Sequence, residues 1–223
     1  LFKRKFKILF GKNTLVIMLV YIMSFDELKK CFVSSLYKGD KFKNPDKPGK
    51  FDKMKEFDYF LFTNIDKSKI STSWTIINFD SDCSNSITRS RYPKFQSWKL
   101  IKEKLDKDYD VIIYLDAYLR PITNLKVWKE IVNETINSKS GIIQSPHPVT
   151  NCPYDECNRI VKFKKDNLHR INKTKELLKE NKIEKRSGLW ENICFSYTPN
   201  CIQIRFLLHC QVCIQVTHRH CLA

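Results

Sequence analysis

This chain has no uninterrupted apolar run of membrane-spanning length. Its most apolar stretch lies in the opening LFKRKFKILFGKNTLVIMLVYIM, where Lys12 and Asn13 leave about ten apolar residues from Leu15 onward, against about twenty for a span. We therefore read residues 15 to 23 as a buried first strand of the sheet rather than a signal-anchor, with 1 to 12 as a basic leader. Membrane association would come from an anchor preceding Leu1. Arginine is scarce too: nine of the 40 basic residues, the rest being lysine, with asparagine and isoleucine abundant. That balance reads as a lysine-covered surface rather than a dedicated polyanion site, despite a net charge of +16. No aromatic RNA-recognition box, zinc-finger spacing or basic-plus-heptad pattern accompanies the charge, which argues against nucleic acid as the partner. Internal repeats and a domain-dividing linker are also lacking, and nine cysteines in 223 residues are too sparse for a disulfide scaffold. Golgi or secretory lumen and cytoplasm both stay open, because the sequons at Asn133 and Asn172 arise easily by chance in an Asn-rich chain.

What is present reads as one folded α/β domain over residues 13 to 200. A hydrophobic share of 42% and an aromatic share of 13% are too high for a disordered chain. After the strand at 15 to 23 comes a polar connection with Gly39, Pro45, Pro48 and Gly49. Apolar strands follow at Phe57 to Asn64 and Ser73 to Phe79. From Thr88 the periodicity changes. Tyr92, Phe95, Trp98, Ile101 and Leu105 recur at spacings of three or four, which predicts an amphipathic helix. Next is YDVIIYLDAYLRP, a strand over Val111 to Leu115 with Asp116 as the first charge past its end. A second helix, capped by Asn124, puts Leu125, Trp128, Ile131, Val132 and Ile136 on one face. Another strand begins at Gly141 and displays His147, a polar helix covers about Asp155 to Lys182, and a last strand covers Ser187 to Tyr197. Strands alternating with helices favour a mostly parallel central sheet flanked by helices.

Cys201 opens a different stretch. His209, Cys210, Cys213, His218, His220 and Cys221 crowd a short tail whose ligand spacing is irregular for zinc. We read residues 201 to 223 as atypical, disordered or mis-read.

Asp116 is the first candidate for chemistry. Ligands in open α/β sheets bind at the carboxyl ends of the strands, and a carboxylate there can hold a divalent cation against a departing diphosphate. The segment YLDAYLRPITNLKVW resembles the strand-end motif of nucleotide-sugar transferases, Asp-x-Asp followed by a turn and a helix. RSRYPKFQSWKL resembles the helix that precedes it. Tyr118 stands in place of the second carboxylate.

An ordered set of short motifs widens the likeness. It comprises Phe25-Asp26, Asp58-Tyr59-Phe60-Leu61-Phe62-Thr63, Ser73-Trp74, Arg91 with Lys94, Asp116, His147-Pro148, Cys152-Pro153-Tyr154-Asp155-Glu156 and Gly188-Leu189-Trp190-Glu191. In that order, from about residue 13 to 197, the set resembles a glycosyltransferase family that includes plant proteins of cell-wall mucilage and pollen-tube development. The resemblance implies a GT-A-like fold and transfer of a sugar from a nucleotide-sugar donor to a glycan or protein hydroxyl. It also implies that Arg91, Lys94, Asp116 and His147 bind the donor. Asp116 would be the ligand of a manganese or magnesium ion, Glu156 or Asp155 the catalytic base, and Gly188 and Glu191 would lie on the acceptor side. Three positions depart from the pattern: Met23 or Ser24 replaces a glycine, Val149 an arginine, and the basic residue after Gly-Leu-x-Glu is missing. The rival from another class is a non-catalytic basic protein binding nucleic acid or an anionic glycan on a degenerate transferase scaffold.

Overall fold

A computed structural model describes residues 5–11, 14–20, 23–38, 48–80, 86–163, 166, 168–186 and 189–199, and for 5–11, 14–20, 86–88 and 190–192 the backbone alone. The Cys/His-rich tail lies outside the described residues, as does Gly188.

Two strands, β1 (Lys5–Gly11) and β2 (Thr14–Val20), pair antiparallel in a hairpin of their own. The main sheet has six strands: β3 (Lys30–Leu36), β4 (Asp58–Thr63), β5 (Thr75–Asn78), β6 (Val111–Leu115), β7 (Ile142–Pro146) and β8 (Trp190–Tyr197). Their order across the sheet is β5-β4-β3-β6-β8-β7. β3, β4, β5 and β6 run parallel, and β8 runs against both its neighbours. The chain is thus an α/β protein with a mostly parallel mixed sheet, compatible with a Rossmann-like arrangement.

Two expectations need correction. LVIMLVYIM is not the first strand of the main sheet; β2 pairs with β1 in a separate hairpin, and the central place belongs to KCFVSSL, which the apolar pattern hides. Lys30 is almost fully buried at its start, with the ammonium donating to the carbonyls of Phe25 and Leu28 and lying 4.1 Å from the Phe25 ring centre. Burial holds its pKa below the usual lysine value. Phe25-Asp26 accordingly precedes the first strand of the main sheet. Second, the polar helix expected over 155 to 182 is two helices, α3 (Pro153–Lys162) and α4 (Leu168–Glu180). They pack on each other around Cys157, Ile171 and Leu178.

Period-two alternation sends the sheet's side chains to two cores. Val111, Ile113 and Leu115 of β6 join Phe32, Tyr59 and Leu61 under α2 (Leu125–Asn137), which contributes Trp128 and Val132. Ile112 and Tyr114 join Val33, Phe60 and Phe62 on the other face, under α1 (Ser86–Leu105), which contributes Phe95, Leu100 and Ile101. A sheet covered on both faces explains why β6 reads as a continuous apolar run.

α2 starts where the sequence says it should. The Asn124 side chain accepts from the Lys126 amide at 3.1 Å, satisfying one of the amides that a helix start leaves unpaired. Replacing Asn124 by alanine should lower unfolding stability by about 1 kcal/mol. Urea denaturation measures this, and no change would mean that solvent serves the amide equally well.

Candidate functional site

The sheet order puts the carboxyl ends of β3, β4, β5, β6 and β7 along one edge. The chain leaves β3 toward β4 on one side and reaches β6 on the other, so the edge between β3 and β6 is a topological switch point, where open α/β sheets bind ligands. Asp116 follows the last residue of β6, at this crevice. Its amide donates to the Ile193 carbonyl of β8 at 2.8 Å, and its own carbonyl accepts from Leu119 in a tight turn at 2.8 Å. The carboxylate is thereby fixed at the strand end.

Its partner comes from α1. The Lys94 ammonium donates to Asp116 Oδ1 at 2.8 Å and lies 4.7 Å from the Tyr114 ring centre, with side-chain exposures of 14% for Lys94 and 26% for Asp116. A local break in the helix surrounds this lysine. Pro93 lies inside α1, and Gln96 has non-helical angles (φ −120°, ψ 21°). Proline has no N–H to donate one turn back and clashes with the preceding turn, so the helix bends where it is inserted. Close to the bend, the Ser90 carbonyl accepts from Ser35 Oγ of β3 at 2.9 Å. Ser35 Oγ in turn lies 2.8 Å from the Tyr114 hydroxyl. The chain β3–Ser35–Tyr114 thus ties the bent helix to the two strands that frame the crevice.

Electrostatics follow from this packing. Burial, then the Asp116 charge, pushes the Tyr114 phenol far up. The same two causes raise the Cys194 thiol, which lies opposite Leu115 in the sheet. Both groups are neutral at physiological pH, and among the described residues Asp116 is paired with Lys94.

Arg91 is half-buried on α1 and has no ion-pair partner among the described residues. One residue cluster that the sequence did not announce sits beside it. Tyr37, directly after β3, is buried, and its hydroxyl has no hydrogen-bond partner among the described residues. Burial and then the charge of Asp80 raise its pKa, while Arg89 opposes them. Arg89 Nε is 3.5 Å from Asp80 Oδ1, joining α1 to the end of β5. These residues meet only because β5, β4 and β3 are neighbours, and no motif marked them.

His147, expected with the donor, and the expected base residues Asp155 and Glu156 lie along the same edge, at the end of β7 and the start of α3. The His147 amide donates to the Leu189 carbonyl, four residues along β8 from the carbonyl that holds Asp116. At about 3.3 Å per residue that is roughly 13 Å along the strand. His147 Nδ1 accepts from the amides of Val149 (3.3 Å) and Thr150 (3.2 Å), so a neutral imidazole carries its proton on Nε2. Nε2 faces Glu156 Oε2 at 4.0 Å. The same oxygen accepts from Arg159 at 3.0 Å. Of the two carboxylates proposed as base, Glu156 is thus engaged by Arg159 and His147, whereas Asp155 is exposed in the first turn of α3. Glu191 lies on β8, with only its backbone described.

A metal fits this arrangement poorly. Magnesium and manganese want several oxygen ligands, but the strand end offers Asp116 and, two residues on, the half-exposed phenol Tyr118. Among the described residues no three His, Cys, Asp or Glu side chains come together as a metal site. Cys152 and Cys157 are both buried, on the cap of α3 and in α3 itself.

The opposite edge of the sheet carries a recess of about 410 Å³ beside Lys30, Asp58 and Tyr109. It is lined by four lysines and four carboxylates, equal in number, with Lys107 paired to Asp58 at 3.2 Å. That balance makes it a weak anion site. No helix among the described residues is long and apolar enough to cross a membrane.

The fold class is therefore α/β, with Asp116 at the switch point between β3 and β6 and the bent, basic helix α1 beside it. No family model, curated protein or solved structure matches the chain.

Proposed function

We propose that this protein is a GT-A-like glycosyltransferase of the mucilage and pollen-tube type, moving a sugar from a nucleotide-sugar to a glycan or protein hydroxyl. The observation that carries the reading is the Lys94–Asp116 pair at the crevice between β3 and β6, with Arg91 in the same helix segment. A nucleoside diphosphate is an anion that needs such a crevice and cations fixed on a rigid frame.

In the reaction the acceptor oxygen bonds to the anomeric carbon as the bond to the diphosphate breaks. The electron pair leaves with the nucleoside diphosphate, and the acceptor proton passes to a carboxylate. Lys94 and Arg91 bind the phosphates, Asp116 holds Lys94 toward them, and Asp155 or Glu156 takes the proton at the β7 end, with His147 beside the donor.

The test is thermal unfolding with uridine and guanosine diphosphates and their sugars. A ligand of the native state at 100 times its Kd adds about 2.7 kcal/mol, a shift of several degrees in Tm. If none of these raises Tm, while heparin or oligonucleotides do so with a steep loss in salt, the non-catalytic basic binder replaces the enzyme.

A further inference from the structure

The cation that answers the carboxylate at the strand end is already part of the chain. Lys94 Nζ lies 2.8 Å from Asp116 Oδ1, inside a partly buried pair. A divalent ion on Asp116 would share one carboxylate with that ammonium, and the two like charges would repel across a few ångströms. Where the second carboxylate usually stands is Tyr118, a phenol. Meanwhile the break at Pro93 and Gln96 surrounds the lysine, and the Ser35–Ser90 and Ser35–Tyr114 bonds fasten its surroundings to β3 and β6. Few surface lysines are placed so firmly.

We infer that the Lys94 ammonium takes the place of the divalent cation, so that a nucleoside diphosphate binds this crevice without metal, with Asp116 as a positioning residue for Lys94. The inference rests on the transferase reading and names its cation.

A second observation comes from β3. By strand alternation Tyr37 lies on the α1 face with Ser35, at the same edge. Its side chain is 7% exposed, and the hydroxyl has no hydrogen-bond partner among the described residues. A buried O–H without an acceptor is unfavourable, and a phosphate or ribose oxygen bound at this edge would supply one if it displaces what covers the hydroxyl. Arg89 and Arg91, on the turns of α1 before Lys94, add donors along the same helix. Together they make a set of N–H and O–H donors suited to a diphosphate, and Asp80 and Asp116 are each held in an ion pair, with Arg89 and Lys94.

The experiment is calorimetric titration of the full chain with uridine diphosphate and guanosine diphosphate, once with excess EDTA and once with manganese. The preferred nucleotide should bind equally under both conditions, within about twofold. Lys94→Met should weaken it by roughly 10- to 100-fold, the range for losing a charged hydrogen bond, and Lys94→Arg should restore most of it. Asp116→Asn keeps an acceptor for Lys94 and removes a negative charge, so it should bind as tightly as the native chain or more tightly. Because Asp116→Asn and Lys94→Arg keep a hydrogen-bonded pair, they test the idea even if Lys94→Met fails to fold. Binding that requires manganese and is abolished by Asp116→Asn would overturn the inference and leave the transferase reading standing. Failure of both nucleotides under both conditions would overturn the two together.

Discussion

Replacing Lys94 by methionine should lower nucleotide-sugar turnover by about 10²- to 10³-fold, the loss typical of removing one preorganised donor from developing negative charge. Methionine keeps the length and much of the packing of the lysine stem, so the change isolates the charge. Two effects combine. The leaving diphosphate loses its fixed cation, and Asp116, no longer neutralised, repels it. Both act when charge builds on the leaving group, so the fall should appear in kcat as well as in kcat/KM. Stability should suffer less. Asp116 keeps a 26% exposed side chain and so keeps some water, which limits the cost to about 1 kcal/mol, well short of the cost of orphaning a fully buried ion. Steady-state assays with the nucleotide-sugar chosen by thermal shift, alongside a melting curve, separate the two. An active Lys94→Met variant with unchanged kcat would remove Lys94 from the mechanism.

The largest effect on stability should come from Phe32→Ala, at about 3–5 kcal/mol. Phe32 is wholly buried in the middle of β3. Its ring centre lies 4.7 Å from that of Trp128, 4.8 Å from Phe57 and 5.2 Å from Tyr59. Truncation therefore opens a cavity where α2, the sheet and the segment before β4 meet. A domain of ordinary stability has about 5–15 kcal/mol in all, so a large part of it would be lost. Urea denaturation should show the midpoint fall, whereas Tyr118→Ala, at an exposed position, should stay within about 0.5 kcal/mol. A Phe32→Ala cost below about 1 kcal/mol would mean that this cluster does not hold the sheet together.

The elements that sequence alone located are those with an unbroken pattern. β6 is Val111 to Leu115 in both readings, because a strand covered on two faces favours an unbroken apolar run, and here nothing interrupts it. α2 begins after Asn124 in both, because the cap is a local bond between neighbouring residues. β3 escaped for the converse reason. Lys30, Ser34 and Ser35 interrupt its apolar run, and two of them are tolerated only because the fold supplies partners: the carbonyls of Phe25 and Leu28 for Lys30, and that of Ser90 for Ser35. Those partners are invisible until the chain is folded. The more apolar LVIMLVYIM looked central on hydrophobicity, yet pairs only with β1 among the described residues.

The site divides in the same way. Asp116 was legible as a charge at the end of an apolar strand, and Lys94 as a basic residue on an amphipathic helix. Their pairing, 22 residues apart in the chain, was not, nor was the consequence that the carboxylate already has its cation. Tyr37, Asp80 and Arg89 carried no pattern at all, since what joins them is the adjacency of β5, β4 and β3. By itself the sequence determined the alternation of strands and helices, the α/β class and the residue types available for anion chemistry, because hydrophobic period and helix capping are short-range. Only the tertiary structure decided which strand lies at the centre, where the chain switches sides, and which charge faces which. Those depend on the order of strands in the sheet and on a bend in one helix, and neither is encoded in any contiguous stretch of residues.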